Sequence, residues 1–505
     1  MNKYFLEQAL KYEPIIHQRI CKVISYGTLV PETNAWFGYQ FQQKTAPEAM
    51  GTGDICYLDF GEHLVGYLSF EMKYTAMYPD APVKLNLKVA ENTYELAYDF
   101  RQYEQKAIGL SPAWLQEQTL YVDEPGEVCL SRRYAFRYVK ITVKHTNVPI
   151  RLENFVVRAV TSADKSKCKL LQIEDKELQK IDEVACKTLA NCMQRVYEDG
   201  PKRDRRLWLG DLRIQALTDY YVFKNTDLVK KCLYLFAAYM ENGNTAYSCI
   251  YENSKGSEPS GMQFEDYALL FVVCLCEYYE HTQDKKLINE LYEIAANQLQ
   301  LACGRTENGI VKDGWFFIDW CEGLEKRTSF QGVLLYTLDK MTELCRSTKR
   351  EEQEMYWRQK LCEFRVAARN HLYNEERKLF VNSHDNHQAS VHAQVWMVLG
   401  GVLIGEEAKD LMKRTIGKQE LVRVVSPYMH HYVVEALIKA DLKVEALQYI
   451  KEYWGHMVDL GADTYWEVFV PGDFSVSPYG DPVMNSCCHA WSCSAAYFIR
   501  KYFND

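Results

Sequence analysis

The spacing of apolar positions changes period once along the chain, and the change divides it. From about Tyr26 to Val160 the apolar runs are short, alternate with polar residues and are punctuated by Gly, Pro, Asn and Asp. YLSFEM (Tyr67 to Met72), VKLNLKVA (Val83 to Ala90), LYVD (Leu120 to Asp123), YVKITVK (Tyr138 to Lys144) and RLENFVVRAV (Arg151 to Val160) therefore predict strands. Several strands at turn-bounded spacing predict a β-sandwich over residues 26–165. Ahead of it, MNKYFLEQALKY opens an amphipathic helix over about residues 1–19, within an N-terminal helical segment of residues 1–25.

Beyond Ser162 the period becomes helical, as in Leu178, Ile181, Val184, Ala185, Leu189, Cys192, Met193 and Val196. About twelve helical segments follow, near 176–198, 211–223, 226–240, 263–281, 285–303, 328–346, 350–373, 387–402, 406–416, 427–440, 442–459 and 485–503. An even set joined by alternately short and long connections predicts helical hairpins closed into a ring, an (α/α)6 barrel over residues 166–505. Short connections lie at Asn225–Thr226, Thr282–Asp284 and Ala440–Leu442. Long ones run from Gly243 to Gly261, Gly304 to Lys326 and Gly461 to Met484, and long loops are where function concentrates.

Composition narrows the function classes. A chain of 505 residues exceeds the roughly 250 to 300 that one core supports, in keeping with separate domains. Its 59 basic and 68 acidic residues offer no basic face for nucleic acid. The longest apolar run, Ala268 to Cys276, falls short of the roughly 20 residues that span a bilayer, and the first residues lack the pattern of a signal peptide. The expectation is a soluble cytoplasmic protein, compatible with a homodimer. The seventeen cysteines lack C-x-x-C pairs and many sit inside apolar runs, as small core residues of a reducing compartment do. Cys487, Cys488, His489 and Cys493 cluster, but no second ligand pair at zinc-site spacing accompanies them, so no metal and no cofactor are expected.

Acids and aromatics gather in four stretches: DGPKRDRRLWLGD (Asp199 to Asp211), SGMQFEDY (Ser260 to Tyr267), DGWFFIDWCEGLEKR (Asp313 to Arg327) and TYWEVF (Thr464 to Phe469). Aromatic walls with carboxylates between them suit a sugar, whose ring faces stack and whose hydroxyls need acceptors. Glycoside hydrolysis needs two carboxyl groups, one protonated and one ionised, and Asp204 and Glu467 are the pair these stretches offer. A solvated charged turn at Asp204 and a capping role for Glu467 are the alternative, and spacing alone leaves both open.

DGPKRDRRLWLGD resembles the D-C-P-x-R-D-E-x-x-G-W-x-G-D signature of glycoside hydrolase family 78, the α-L-rhamnosidases. The C-terminal part is similar too: the family's G-A-T-T-x-W-E and M-N-S-x-N-H-x-A segments are matched by GADTYWE (Gly461 to Glu467) and MNSCCHA (Met484 to Ala490). FIDW (Phe317 to Trp320) resembles its aromatic D-W loop, and LDFGEHLVGYL (Leu58 to Leu68) and FRYVKITV (Phe136 to Val143) resemble its accessory β-domain. The resemblance implies an inverting, metal-independent hydrolase that removes terminal α-L-rhamnose from a small-molecule glycoside or oligosaccharide. It is that of a compact member, in which the second β-domain of many relatives does not follow the barrel.

By the same resemblance Glu467 matches the general base. The signature is one residue short between Arg203 and Trp208, so counting from the left places Arg205 on the family's acid and counting from the right places Asp204 there. Arg205 cannot donate a proton at neutral pH, which selects Asp204. Asp199, Arg203, Asp211, Asp319 and His489 match positions that hold sugar hydroxyls, and Trp208, Phe264, Trp320 and Trp466 match the walls. His384, His387, His430 and His431 have no such support and read as structural. The alternatives are a glycosidase of this fold for another neutral or an acidic sugar, which Lys202, Arg205 and Arg206 would suit, and a non-catalytic sugar-binding relative.

Overall fold

The computed structural model describes residues 1–106, 110–240, 243–253, 256–383, 385–417 and 420–504; His384 lies outside them. The first helix, α1 (Lys3–Leu10), is shorter than its apolar pattern predicts. Pro14 lacks the N–H a continuing helix needs and biases Glu13 away from helical backbone. The first strand, β1 (His17–Lys22), already lies inside the stretch expected to be helical. α1 packs on the helical domain, with Phe5 stacked against Tyr234 at a centroid distance of 6.2 Å.

The β-rich domain holds β2 (Ser25–Pro31), β3 (Tyr39–Lys44), β4 (Ile55–Tyr74), β5 (Val83–Ala90), a short helix α2 (Thr93–Ala97), β6 (Glu117–Val122), β7 (Gly126–Cys129), β8 (Tyr134–His145) and β9 (Ile150–Thr161). Its nine strands form one hydrogen-bonded network ordered β1-β9-β4-β8-β5-β6, with β2 and β7 joined to β4 and β3 to β2. The long β4 makes this possible. Its register shifts between Asp59 and Leu64, so its first half pairs with β2 and its second half with β7 and β9. Alternating residues such as Leu58, Phe70, Leu85, Leu87, Phe136, Val139 and Val157 form its core.

The helical domain comprises α3 (Lys176–Cys192), α4 (Leu209–Tyr221), α5 (Thr226–Tyr239), α6 (Glu265–Thr282), α7 (Lys285–Gly304), α8 (Arg327–Ser347), α9 (Glu351–Leu372), α10 (Val391–Leu399), α11 (Gly405–Thr415), α12 (Pro427–Lys439), α13 (Lys443–Ile450), α14 (His456–Asp459) and α15 (Ser494–Tyr502). A π turn at Lys451–Gly455 joins α13 to α14 as one outer element. Packing runs α4 to α6 to α8 to α10 to α12, then through Ala490–Ser492 to α15, which packs back on α4 and closes an inner ring of six. The other helices form the outer ring. Residue pattern explains the assignment: α6 is buried at every position from Glu265 to Tyr279, whereas α7 buries a stripe at Leu287, Ile288, Leu291, Tyr292, Ala295, Ala296, Leu299 and Ala302. The loops leading into the inner helices gather at one end of the ring, where helix N-termini favour negative groups. Among the described residues no helix is long and apolar enough to cross a membrane.

Candidate functional site

At that end lies a cavity of about 240 Å³ lined by Asp199, Asp204, Arg206, Trp208, Asp211, Met262, Phe264, Tyr267, Phe317, Trp320, Glu467, Tyr479, His489 and Trp491, with Leu110 and Trp114 reaching in from the β-rich domain. Asp211 stands in the first turn of α4 and Phe264 immediately precedes α6. Gly210, just before Asp211, lets α4 and α6 approach closely, since a Cβ there would meet the Tyr267 ring at 2.4 Å.

The charged turn resolves into two directions. Arg205 takes a left-handed backbone, φ 60°, which costs free energy for a residue with a side chain and re-aims its neighbours. Its guanidinium donates to the carbonyls of Pro201 and Arg133, both at 2.7 Å, away from the cavity, while Asp204 lines it. Asp204 lies 4.0 Å from Arg203 Nη1 and 3.8 Å from Arg206 Nη1, and no described residue donates a hydrogen bond to its carboxylate. Asp199 is buried, accepting from the backbone N–H of Arg206 at 3.1 Å.

Glu467 is held on every side. Its carboxylate accepts from Arg203 Nη2, from the Tyr479 hydroxyl at 2.6 Å and from Ser486 N–H at 2.9 Å. Its backbone N–H donates to Ser486 O at 2.9 Å, and Trp491 Nε1 donates to its carbonyl at 3.0 Å. Burial disfavours the charged form, yet the Arg203 guanidinium and these hydrogen bonds keep its carboxyl below the ordinary glutamate range, so it is ionised at neutral pH. Burial and neighbouring carboxylates do the reverse at Asp199 and Asp211, raising both well above the aspartate range. Burial holds His489 down at about 4, a neutral imidazole at neutral pH.

Among the described residues, five buried polar atoms around the cavity make no hydrogen bond: Trp208 Nε1, Trp320 Nε1, Arg206 Nε, and Asp211 Oδ1 and His489 Nδ1, which face each other at 3.5 Å. Leaving such groups unpaired is costly, and a ligand rich in hydroxyls would pair them. Much of the remaining lining is aromatic, with Trp320 edge-on to Phe317 at 5.1 Å and to Tyr479 at 5.9 Å.

Asp204, Glu467, Asp199, Trp208, Asp211, Phe264, Trp320 and His489 thus converge. Arg203 stands behind the wall, fixing Glu467. Asp319 does not reach the cavity: its carboxylate is consumed by His392 Nε2 at 2.8 Å, the N–H groups of Trp320, Val425 and Ser426, and the Ser426 hydroxyl. Trp466 also faces elsewhere, stacked on Trp36 at 5.8 Å in a second cavity at the domain seam. That cavity is larger, about 460 Å³, but its Asp59–Arg137 pair is already closed at 2.9 Å and none of its lining residues carries an unpartnered buried polar atom. His430 stacks on Tyr453 at 3.6 Å and His431 bonds Arg213, both within the barrel, while His387 lends its carbonyl to Arg377. Tyr479 and Trp114 carry no motif of their own: Tyr479 lies in the long loop from Gly461 to Met484, and Trp114 comes from the β-rich domain, whereas Arg206 belongs to the charged turn and is one of its three basic residues that would suit an acidic sugar.

Comparisons with known proteins agree with this two-domain architecture. Residues 31–159 match the family model of the glycosyl hydrolase family 78 alpha-rhamnosidase N-terminal domain, and residues 167–503 that of the bacterial alpha-L-rhamnosidase six-hairpin glycosidase domain. A rhamnosidase from Klebsiella oxytoca, solved with rhamnose bound, is 37% identical, with a TM-score of 0.96 over 99% of each chain. A family 78 rhamnosidase of Bacillus sp. GL1 shares the fold at 20% identity, with a TM-score of 0.75 over 93% of this chain and 50% of that one. The Streptomyces avermitilis α-L-rhamnosidase, complexed with L-rhamnose, does so at 15% identity and TM-score 0.67, over 97% of this chain and 44% of that one. The chain therefore spans about half the length of these two longer enzymes. No match is found among curated protein sequences.

Proposed function

Since this chain belongs to glycoside hydrolase family 78, we propose that it removes terminal α-L-rhamnose from small glycosides with inversion, Asp204 acting as acid and Glu467 as base. What carries the assignment is one cavity with Asp204 on one side of the Arg203 guanidinium and Glu467 on the other. Glu467, kept ionised, takes a proton from water as that water attacks the anomeric carbon, and Asp204 gives a proton to the departing oxygen. An inverting pair needs roughly 6.5 to 9.5 Å between its carboxyl groups to admit the water.

Asp199, Asp211, His489, Arg206, Trp208 and Trp320 supply the polar atoms for hydroxyls, and Phe264, Phe317 and Trp491 an apolar wall suited to the methyl group of a 6-deoxy sugar. The abundance of buried unpaired cysteines supports action in a reducing cytoplasm. A second reading, an acidic sugar, rests on Arg206 in the lining. A panel of aryl glycosides separates them: the α-L-rhamnoside is expected to turn over fastest, and preference for a uronide would overturn the first reading.

A further inference from the structure

Behind the cavity, at the seam of the two domains, four ionisable side chains are almost wholly buried: His63 and Glu91 at 1% and 0% side-chain exposure, Glu95 at 0% and Lys202 at 1%. Burying such a group disfavours folding, and well-packed apolar residues in its place are often neutral or stabilising. Their bonds lead to the two proposed catalytic carboxylates. Glu91, next after β5 in the β-rich domain, accepts from Cys487 N–H at 2.6 Å, and its oxygens lie 3.4 Å from Ser486 Oγ. Ser486 N–H in turn binds Glu467. Lys202 Nζ lies 3.2 Å from Glu95 and 3.5 Å from Glu91, and donates to the carbonyls of Asn485 at 3.1 Å and Val483 at 3.4 Å. The next residue, Arg203, donates to Met484 O at 2.7 Å and to Glu467, and Asp204 follows it. On the far side His63 Nε2 stands 3.0 Å from Glu91, and Asn191 of α3 holds His63 Nδ1 at 2.9 Å.

We propose that Glu91 and Lys202 are positioning residues for hydrolysis: the β-rich domain, through this buried pair, sets the 483–487 segment that holds Glu467 and the turn that carries Asp204. The inference rests on the assignment of Glu467 and Asp204 made above. Neither Glu91 nor Lys202 lines the sugar cavity, so loosening them displaces the carboxylates without removing a contact to sugar. A displacement of about 1 Å at reacting groups costs on the order of a hundredfold in rate.

The test compares Glu91→Gln and Lys202→Met in the full chain. Each is expected to lower kcat on an aryl α-L-rhamnoside by about ten- to a hundredfold, with KM and the Kd for L-rhamnose nearly unchanged. The double variant is expected to fall no further than the lower single, because both act through one relay. Arg137→Leu, which breaks the seam pair with Asp59, is expected to lower Tm and leave kcat in place. His63→Gln loosens Glu91 without touching either carboxylate and is expected to lower kcat severalfold, which keeps the test available if Glu91→Gln does not fold. A wild-type kcat in folded Glu91→Gln, or in His63→Gln where that variant alone folds, overturns the inference; so does a fall in rhamnose affinity equal to the fall in kcat. If Glu467→Gln is inactive while Glu91→Gln is normal, only the positioning role fails. If Glu467→Gln is active, the underlying assignment fails.

Discussion

Two clusters of buried charge sit within the same ring of helices. Inside the barrel, every guanidinium nitrogen of Arg213 donates, to Glu277, Glu435, Tyr336 and His431. At the mouth, among the described residues, Arg206, Trp208 and Trp320 each keep a buried polar atom without a hydrogen bond, and Asp211 Oδ1 and His489 Nδ1 have only each other, at 3.5 Å. Arg213 and Asp211 are two positions apart on α4, so local sequence does not distinguish them; satisfaction of hydrogen bonds does. The Arg213 cluster ties α4, α6, α8 and α12 together and leaves one buried atom, His431 Nδ1, without a hydrogen bond, whereas the cluster at the mouth leaves several that a ligand would pair.

Substitutions should separate the two. The largest loss of activity is expected for Glu467→Gln, about a thousandfold in kcat with the fold retained, since no other ionised group occupies the base position. Asp204→Asn should lose about a hundredfold on alkyl rhamnosides and less on nitrophenyl rhamnosides, whose leaving group needs little proton assistance; equal losses on both would remove Asp204 as the acid. Arg213→Met should act on the other side of the comparison. It strands Glu277 and Glu435, and a denaturant titration should show about 3 to 5 kcal/mol of lost stability, with kcat per folded molecule unchanged.

The smallest effect is also the most diagnostic. Asp211→Asn should weaken L-rhamnose binding by about tenfold, the loss of one hydrogen bond to a sugar hydroxyl, yet raise Tm at pH 7. The sign follows from its raised folded pKa. Wild-type stability from this group is greatest below the ordinary aspartate value near 4 and is lost as pH rises toward the folded value, because charging the buried carboxyl favours unfolding. Asparagine removes that loss, so the difference in Tm should close as pH falls below about 4. A Tm that drops at pH 7 would make Asp211 structural, like Arg213.

Much of the architecture was legible. The change of period marks the domain change, and the twelve helical segments correspond to the two rings, outer helices such as α7 keeping a 3.6-residue stripe and inner ones such as α6 showing a long, nearly continuous apolar run. β1 escaped notice because an edge strand such as HQRICK buries only Cys21 and does not alternate. The site was legible where chemistry is local to a motif: Asp199, Asp204, Trp208, Asp211, Glu467 and His489 meet in one cavity. Whether Asp204 or Arg205 faces it was not legible by counting, because it turns on the left-handed backbone at Arg205. Asp319 has the residue type and aromatic neighbours of a sugar ligand, but its partners at positions 392, 425 and 426 lie far along the chain. Trp114 and Leu110 come from the other domain, which no barrel motif anticipates.

The account stands on two carboxylates acting from opposite sides of the bond. Proton NMR during the first turnovers of an aryl α-L-rhamnoside reads this directly. β-L-Rhamnose should appear first, with the α anomer growing in afterwards by mutarotation; α-L-rhamnose as the first product would contradict direct attack by a water that Glu467 activates.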